Sequence, residues 1–294
     1  MTPDQLIEEK AKSTADINLR GLAEDRLISW HTKYERKAPG VALNVFKATK
    51  SFFKANYLPL GCKIPTYVKQ REEDYIPTTP EVKAMCELAN LETATFILFA
   101  AESGQRDGTV ADLNLSHAQG CLNGEPYVFI IPQKRDAKTG KIVKSKRIYG
   151  QYGFLCQDAV EKLKLLIKTK NLKPEDKIFG CEVQTYSKAI TDLAIKIGIA
   201  EPTGLRRFKT HNLRKRAQII LEDSGVPLNW VDRILGHKPR GSQADAYSLP
   251  PKEKLAEKYK LAMPALSVFG EEKATSDELK ELKERVAKLE AKFA

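Results

Sequence analysis

Residues 210–250 contain two histidines, an arginine and a tyrosine at spacings that suit a single active site. His211 and Arg214 stand three residues apart on a predicted helix, so their side chains face the same way. A second predicted helix ends in a Leu-Gly-His sequence that closes with His237, and Tyr247 follows ten residues later. A guanidinium and two imidazoles could together support the transfer of a phosphoryl group to the phenol of the tyrosine.

A second arginine, Arg106, stands in a turn of small residues after a strongly apolar predicted helix. Arg106 and Arg214 are forked, permanently charged donors suited to two oxygens of one phosphate. His211 and His237 could donate hydrogen bonds to the phosphate or exchange a proton with the tyrosine. The phenol of Tyr247 has an ordinary pKa of about 10, and two nearby guanidinium groups would favour its ionised form.

The order H-x-x-R, L-G-H and Tyr resembles the carboxy-terminal signature of the tyrosine recombinases, the family of phage integrases and Xer-type recombinases. The segment SGQRDGTVADLNL, residues 103–115, is similar to the family's first arginine box, and the resemblance runs from about residue 77 to 265. It implies a 3′-phosphotyrosine intermediate with a free 5′-hydroxyl, formed without ATP, metal or another cofactor. The sequence has neither a Walker loop nor a carboxylate cluster suited to two metal ions.

The family also has a catalytic lysine on a β-hairpin between these motifs, and a lysine-rich hairpin is predicted here over residues 126–155. Lys138, in a Lys-Thr-Gly turn, is the first candidate for a general acid. Lys134, at the end of the first strand, is the second.

One position departs from the family pattern. Three residues after the first arginine the family commonly has an acidic residue, and this chain has Thr109. Asp107 or Asp112 could orient Arg106 instead.

The elements around these residues predict a mainly α fold with a small antiparallel β-sheet, an α+β chain with a recombinase-like catalytic domain. Residues 57–80 contain four prolines and a charged run, which indicates a linker. The predicted domains are a small helical DNA core-binding domain (1–75), a catalytic domain (76–268) and a helical or coiled-coil tail (269–294).

The charge balance favours a polyanionic partner. The chain has 49 Lys and Arg against 38 Asp and Glu, a net charge of +11. Five scattered cysteines without a C-x-x-C pair indicate reduced thiols in a cytoplasmic protein, and no apolar run approaches the roughly 20 residues of a membrane span.

Two basic groups are predicted to contact double-stranded DNA through its phosphates. They are Lys47, Lys50 and Lys54 on a helix of the small domain, and Arg207, Lys209 and Lys215 near the H-x-x-R motif. The second cluster, which also contains Arg206, Arg214 and Arg216, could still be a solvated helix face.

The resemblance implies a tetramer that recombines two DNA sites, as in a mobile genetic element. It also leaves open a monomeric nicking-closing enzyme of the type IB topoisomerase kind and a DNA-binding protein that has lost cleavage. In this family a tail after the tyrosine often docks on a neighbouring subunit. The resemblance therefore implies that residues 251–269 could dock in the same way.

Overall fold

A computed structural model describes residues 2–16, 21–35, 39–65, 75–125, 127–131, 152–201, 208–237 and 251–270. The chain divides into two compact units, Met1–Glu72 and Glu73–Ala294. In the described parts of both units, no helix is both long enough and apolar enough to cross a membrane.

The described part of the first unit contains three helices, α1 (Pro3–Ala15), α2 (Leu22–Glu35) and α3 (Pro39–Ala55). The core is made where apolar side chains of α2 and α3 meet the segment after α3, and its buried members are Leu27, Phe46, Phe53 and Leu60.

A buried ion pair joins the first two helices of this unit. Lys10 of α1 lies 2.6 Å from Glu24 of α2. The same carboxylate accepts a hydrogen bond from the backbone N–H of Gly61 at 3.1 Å. Glu24 therefore fixes α1, α2 and the chain after α3 to one another, and these contacts lower the pKa of its carboxyl against the opposing effect of burial.

The second unit is mainly helical, with a two-stranded sheet in its described part. Helices and strands follow in the order α4 (Thr79–Leu88), α5 (Leu91–Ser103), α6 (Asp107–Ala111), a 3₁₀ turn (Leu115–Ala118), α7 (Gln119–Leu122), β1 (Val128–Ile130), β2 (Tyr152–Phe154), α8 (Gln157–Lys170), α9 (Val183–Lys196), α10 (His211–Asp223), α11 (Leu228–Leu235) and α12 (Lys252–Leu266). This composition confirms the predicted fold class.

Helix α5 forms the centre of this unit. Asn90 caps its first turn by accepting a hydrogen bond from Thr93 N–H at 2.8 Å. Every residue from Thr93 to Ser103 is buried, because α4, α8, α9 and α10 pack around the helix. The helix ends at Gly104, whose φ of 61° lies in the left-handed region.

The two strands pair antiparallel, with Val128 opposite Phe154 and Ile130 opposite Tyr152. They are the two ends of the hairpin predicted over residues 126–155. The lysine-rich part of that hairpin lies outside the described residues.

Helix α12 packs on α10 and α11 of its own chain. Asp158 Oδ2 accepts hydrogen bonds from Ser267 Oγ and from the backbone N–H groups of Val268 and Phe269, at 3.2, 2.8 and 3.0 Å. Residues 251–269 thus make contacts within their own chain, and docking on a neighbouring subunit would require these contacts to be broken.

Candidate active site

Helix α10 carries the H-x-x-R motif and begins at His211. Its apolar positions Leu213, Ala217 and Leu221 are fully buried. They hold the helix against the core, so Arg214, one position after Leu213, is carried into the protein and is only 3% exposed. His211, one turn earlier, is exposed.

The guanidinium of Arg214 is held at one nitrogen. Nη1 donates a hydrogen bond of 2.6 Å to the carbonyl of Gly104, at the end of α5. Nη2 is also buried, and no group in the described part of the chain accepts a hydrogen bond from it. A buried N–H of a charged group without an acceptor is costly, so this nitrogen is suited to bind an anion.

Gly104 brings three elements together. A Cβ at this position would lie 2.4 Å from Leu235 Cδ2 and 3.0 Å from Ala217 Cβ. The end of α5 therefore approaches α10 and α11 more closely than any other residue type would allow, and its positive φ also favours glycine. This close approach puts the Gly104 carbonyl within reach of Arg214.

The turn after Gly104 presents Arg106, which is the N-cap residue of α6 and is partly buried. Gln105, beside it, is 3% exposed and donates a hydrogen bond of 2.7 Å from Nε2 to the carbonyl of Ile234 in α11. This bond joins the first arginine motif to the helix that leads into the Leu-Gly-His motif, 129 residues away.

His237 follows the left-handed residue Gly236 at the end of α11. Its ring nitrogen Nδ1 lies 3.4 Å from Asp232 Oδ1, and its backbone N–H donates to the Asp232 carbonyl at 2.7 Å. Burial and the positive charges of Arg214 and Arg106 lower the pKa of His237, whereas Asp232 opposes that shift. The arginines and His237 thus share one electrostatic environment.

The same environment perturbs two further groups. Burial and then the charge of Arg106 lower the pKa of Arg214 to about 10, against the opposing effect of the Asp107 carboxylate. Burial also raises the pKa of Asp107 to about 6, although Arg214 counteracts the shift. The sequence offered Asp107 or Asp112 as the acid that orients Arg106. In the structure the charge of Asp107 acts on Arg214.

The structure brings three of the predicted residues, Arg106, Arg214 and His237, close enough for their charges to interact. His211 is on the same helix as Arg214. Four other predicted residues lie outside the described part of the chain, namely the candidate nucleophile, both candidate lysines and one basic residue: Tyr247, Lys138, Lys134 and Arg207.

The predicted DNA-binding lysines differ in their surroundings. Lys47 and Lys54 of α3 are exposed, as is Lys209 before α10. Lys50 is half-buried and its ammonium donates to the carbonyl of Cys62, so it helps to fix the first unit. Lys215 is half-buried on α10.

Arg216 is not on a solvated helix face, contrary to one interpretation of the basic cluster. It is 2% exposed and donates to Thr79 Oγ1 at 2.9 Å and to backbone carbonyls. The sequence contained a signal for its burial, because Arg216 shares helical phase with the apolar residues Leu213 and Ile220. Sequence reasoning also missed Asp232, which belongs to no motif, and Gln105, which lies beside Arg106 in the first arginine box.

The buried group Glu102, Cys156 and Asp158 places three potential metal ligands within 4.8 Å of one another, in the described part of the second unit. Glu102 Oε2 accepts a hydrogen bond from Cys156 N–H at 2.9 Å. Burial, and then the nearby Asp158 carboxylate, raise the pKa of Glu102 well above its usual range. This hydrogen bond and the nearby charge of Arg216 indicate a structural role for the group.

No protein-family model and no curated protein sequence matches the chain. Solved structures do. The Tn1549 transposon integrase in complex with transposon right end DNA matches at a TM-score of 0.57 and 15% identity, over 89% of this chain and 100% of that one. Another structure of that integrase, with a circular intermediate DNA, matches at 0.56 and 14% identity, over 97% of this chain and 99% of that one.

A lambda integrase dimer bound to a core site matches at a TM-score of 0.51 and 14% identity, over 76% of this chain and 78% of that chain. These neighbours are tyrosine recombinases, and the similarity extends over most of each chain. The chain therefore has the fold of the tyrosine recombinases.

Proposed function

We propose that this protein is a site-specific DNA recombinase that cuts and rejoins DNA through a covalent 3′-phosphotyrosine at Tyr247. The fold supports the proposal at the level of architecture. The motifs support it at the level of chemistry, because the fold brings Arg106, Arg214 and His237 together from segments that are far apart in the sequence.

The observation that carries the proposal is the environment of Arg214. Its Nη2 is buried and has no acceptor in the part of the chain that the structure describes, and the like charge of Arg106 acts on it. A phosphodiester would supply both the missing acceptor and the negative charge that relieves the repulsion between the two guanidinium groups. The same contacts would stabilise the additional charge of a pentavalent phosphate.

In the proposed reaction the phenol oxygen of Tyr247 attacks the phosphorus atom, and the bond from phosphorus to the 5′-oxygen breaks. The phenol proton passes to one of the two histidines, His211 or His237. The leaving 5′-oxygen takes a proton from Lys138, with Lys134 as the second candidate. Attack by a 5′-hydroxyl on the phosphotyrosine reverses each step, so the energy of the phosphodiester is conserved.

DNA contacts outside this centre are proposed for the exposed lysines. Lys47 and Lys54 of α3 and Lys209 before α10 are exposed, so their ammonium groups can reach backbone phosphates. Arg207 and Lys215 remain candidates for the same role. Lys50 is a weaker candidate because its ammonium is bonded to Cys62.

We further propose that the protein works as a tetramer on two recombination sites of a mobile element. One structural neighbour is a lambda integrase tetramer bound to a Holliday junction, and it matches at a TM-score of 0.51 and 13% identity. Two neighbours are integrases of a transposon in complex with its DNA. The tetramer on a Holliday junction supports a synaptic mode of action over monomeric nicking and closing.

The test is covalent capture of DNA. Wild-type protein and Tyr247→Phe are incubated with end-labelled duplexes that have a randomised centre and a nick, so that a cleaved strand cannot be resealed. No metal or ATP is added. We expect wild type to form an adduct that survives SDS, and sequencing of the captured duplexes to give the preferred site.

The Phe variant is the matched control, since it differs by one oxygen atom. Adduct formation by both proteins would exclude Tyr247 as the nucleophile. If neither protein forms an adduct although both bind the duplexes, the chain is a DNA-binding protein without cleavage activity. Recombination between two captured sites, assayed with cross-linking of the complex, separates a tetramer from a monomeric nicking-closing enzyme.

A further inference from the structure

Asp232 contacts His237 twice, once at its backbone and once at its ring. Asp232 accepts the backbone N–H of His237 at 2.7 Å through its carbonyl, and its Oδ1 lies 3.4 Å from Nδ1 of the ring. Gly236, with a φ of 68°, reverses the chain between them. The left-handed turn is what brings a ring five positions later back over the last turn of α11.

We infer that Asp232 is a positioning residue for His237, whose carboxylate accepts the Nδ1–H hydrogen bond and so leaves Nε2 as the nitrogen that faces the phosphate site. Asp232 is 1% exposed, so its orientation is set by packing. Which ring nitrogen carries the proton in a neutral imidazole is decided by the hydrogen bond that the other nitrogen makes. The inference rests on the proposed function only in assigning a phosphate to this site.

The surrounding charges make the choice of nitrogen consequential. Arg214 from α10 and Arg106 from the turn before α6 act against protonation of the ring, and Asp232 from α11 acts in favour of it. Because the net effect lowers the pKa of His237 below its ordinary value, it favours the neutral imidazole, which has a single N–H. Without Asp232 that proton could occupy either nitrogen, and only one arrangement leaves Nε2 unprotonated.

Asp232 also acts once the ring becomes charged. If Nε2 takes a proton from the phenol, the imidazolium forms beside two guanidinium groups. The carboxylate of Asp232 then offsets their repulsion through the Nδ1–H contact. Asp232 therefore influences the reaction through His237 while remaining out of reach of the DNA.

The direct test is the nitrogen NMR spectrum of the imidazoles in the full-length protein. The chain has four histidines, so the signals can be assigned by comparison with His237→Gln. We expect His237 of the wild type to carry its proton on Nδ1. In Asp232→Asn we expect a population with the proton on Nε2 and a lower pKa, because a negative charge next to the ring has been removed.

The matched control is Asp223→Asn, the same substitution at an exposed position at the end of α10. It should leave both the tautomer and the pKa of His237 unchanged. A wild-type spectrum with the proton on Nε2, or identical spectra for wild type and Asp232→Asn, would overturn the inference. The wild-type measurement needs no variant, so it decides the question even if Asp232→Asn does not fold.

Single-turnover cleavage of a captured duplex gives the functional readout. At saturating DNA we expect Asp232→Asn to cleave about 10-fold or more slowly with unchanged DNA affinity. The apparent pKa contributed by His237 should move to lower pH, and Asp232→Glu should restore part of the rate. An unchanged rate and pH profile would contradict the inference. The imidazole spectra do not depend on cleavage, so this failure is distinct from failure of the proposed function.

Discussion

Two arginines on α10, Arg214 and Arg216, are buried to a similar extent but differ in how many hydrogen bonds their guanidinium groups make. They stand two positions apart, so they point to opposite sides of the helix, and they are 3% and 2% exposed. Arg216 donates to the carbonyls of Ala101, Leu266 and Ala265 and to Thr79 Oγ1, at 3.4, 3.3, 3.3 and 2.9 Å. Arg214 donates to the Gly104 carbonyl.

The charges around the two arginines also differ. Arg216 lies near the carboxyl groups of Glu102 and Asp158, which favour its charge. Arg214 lies near Arg106, which disfavours it. A buried charge surrounded by acceptors stabilises a fold, whereas a buried charge with an unused donor and a like neighbour is prepared for a ligand. One helix therefore has a structural side and a binding side.

The largest effect is expected from Arg216→Met. The substitution keeps an unbranched apolar stem but removes the guanidinium, which leaves three backbone carbonyls without their donor and the carboxyl groups of Glu102 and Asp158 without their cation. We expect the free energy of unfolding to fall by about 3–5 kcal/mol, measured by urea denaturation. A loss below about 1 kcal/mol would mean that these contacts do not stabilise the fold.

Arg214→Met should have the opposite effect, with a large loss of activity and little loss of stability. The variant loses a donor to the phosphate, so single-turnover cleavage should slow by about 10²–10³-fold, or about 2.7–4 kcal/mol. Its stability should change little, because an unsatisfied buried donor is removed along with one hydrogen bond. Arg214→Lys should recover little activity, since a point charge cannot bind two oxygens at once. Equal destabilisation by both arginine variants would contradict the conclusion that α10 has a structural side and a binding side.

Gly104→Ala should affect the two sides together. The added Cβ would overlap Leu235 and crowd Ala217, and the residue would be held at a positive φ. We expect a loss of about 2 kcal/mol in urea denaturation, and slower cleavage because the acceptor of Arg214 shifts. The control is Gly108→Ala, where a Cβ meets no atom within 4 Å. Similar losses for both variants would argue against close packing at Gly104.

The smallest effect concerns anion binding without DNA. Sulfate should stabilise the wild type more than Arg214→Met at matched ionic strength, because it binds the folded site. At a sulfate concentration equal to its dissociation constant, the difference is about 0.4 kcal/mol. Thermal unfolding of both proteins over a series of sulfate concentrations measures it. Equal stabilisation of the two proteins would indicate a general salt effect.

The sequence predicted the parts of this arrangement that depend on local pattern. The apolar run of α5 and its glycine stop are visible in the residues themselves, and so are the helices of the H-x-x-R and Leu-Gly-His motifs. The fold class follows from these patterns together with the two short strands. The roles of Tyr247, Lys138 and Lys134 stay predictions.

The contacts between distant segments could not be predicted in the same way. The bond from Gln105 to Ile234 depends on how α5 meets α11, and no spacing in the sequence encodes it. Asp232 gains its importance from the reversal of the chain at Gly236. Arg216 is different, since its helical phase among apolar residues already indicated a buried position.

The attachment of α12 has a kinetic consequence. Arg216 holds the carbonyls of Ala265 and Leu266, and Asp158 holds the next three residues. Any exchange of α12 with a second molecule must first break these hydrogen bonds within one chain. When that opening is slower than encounter between molecules, the rate of exchange is independent of protein concentration.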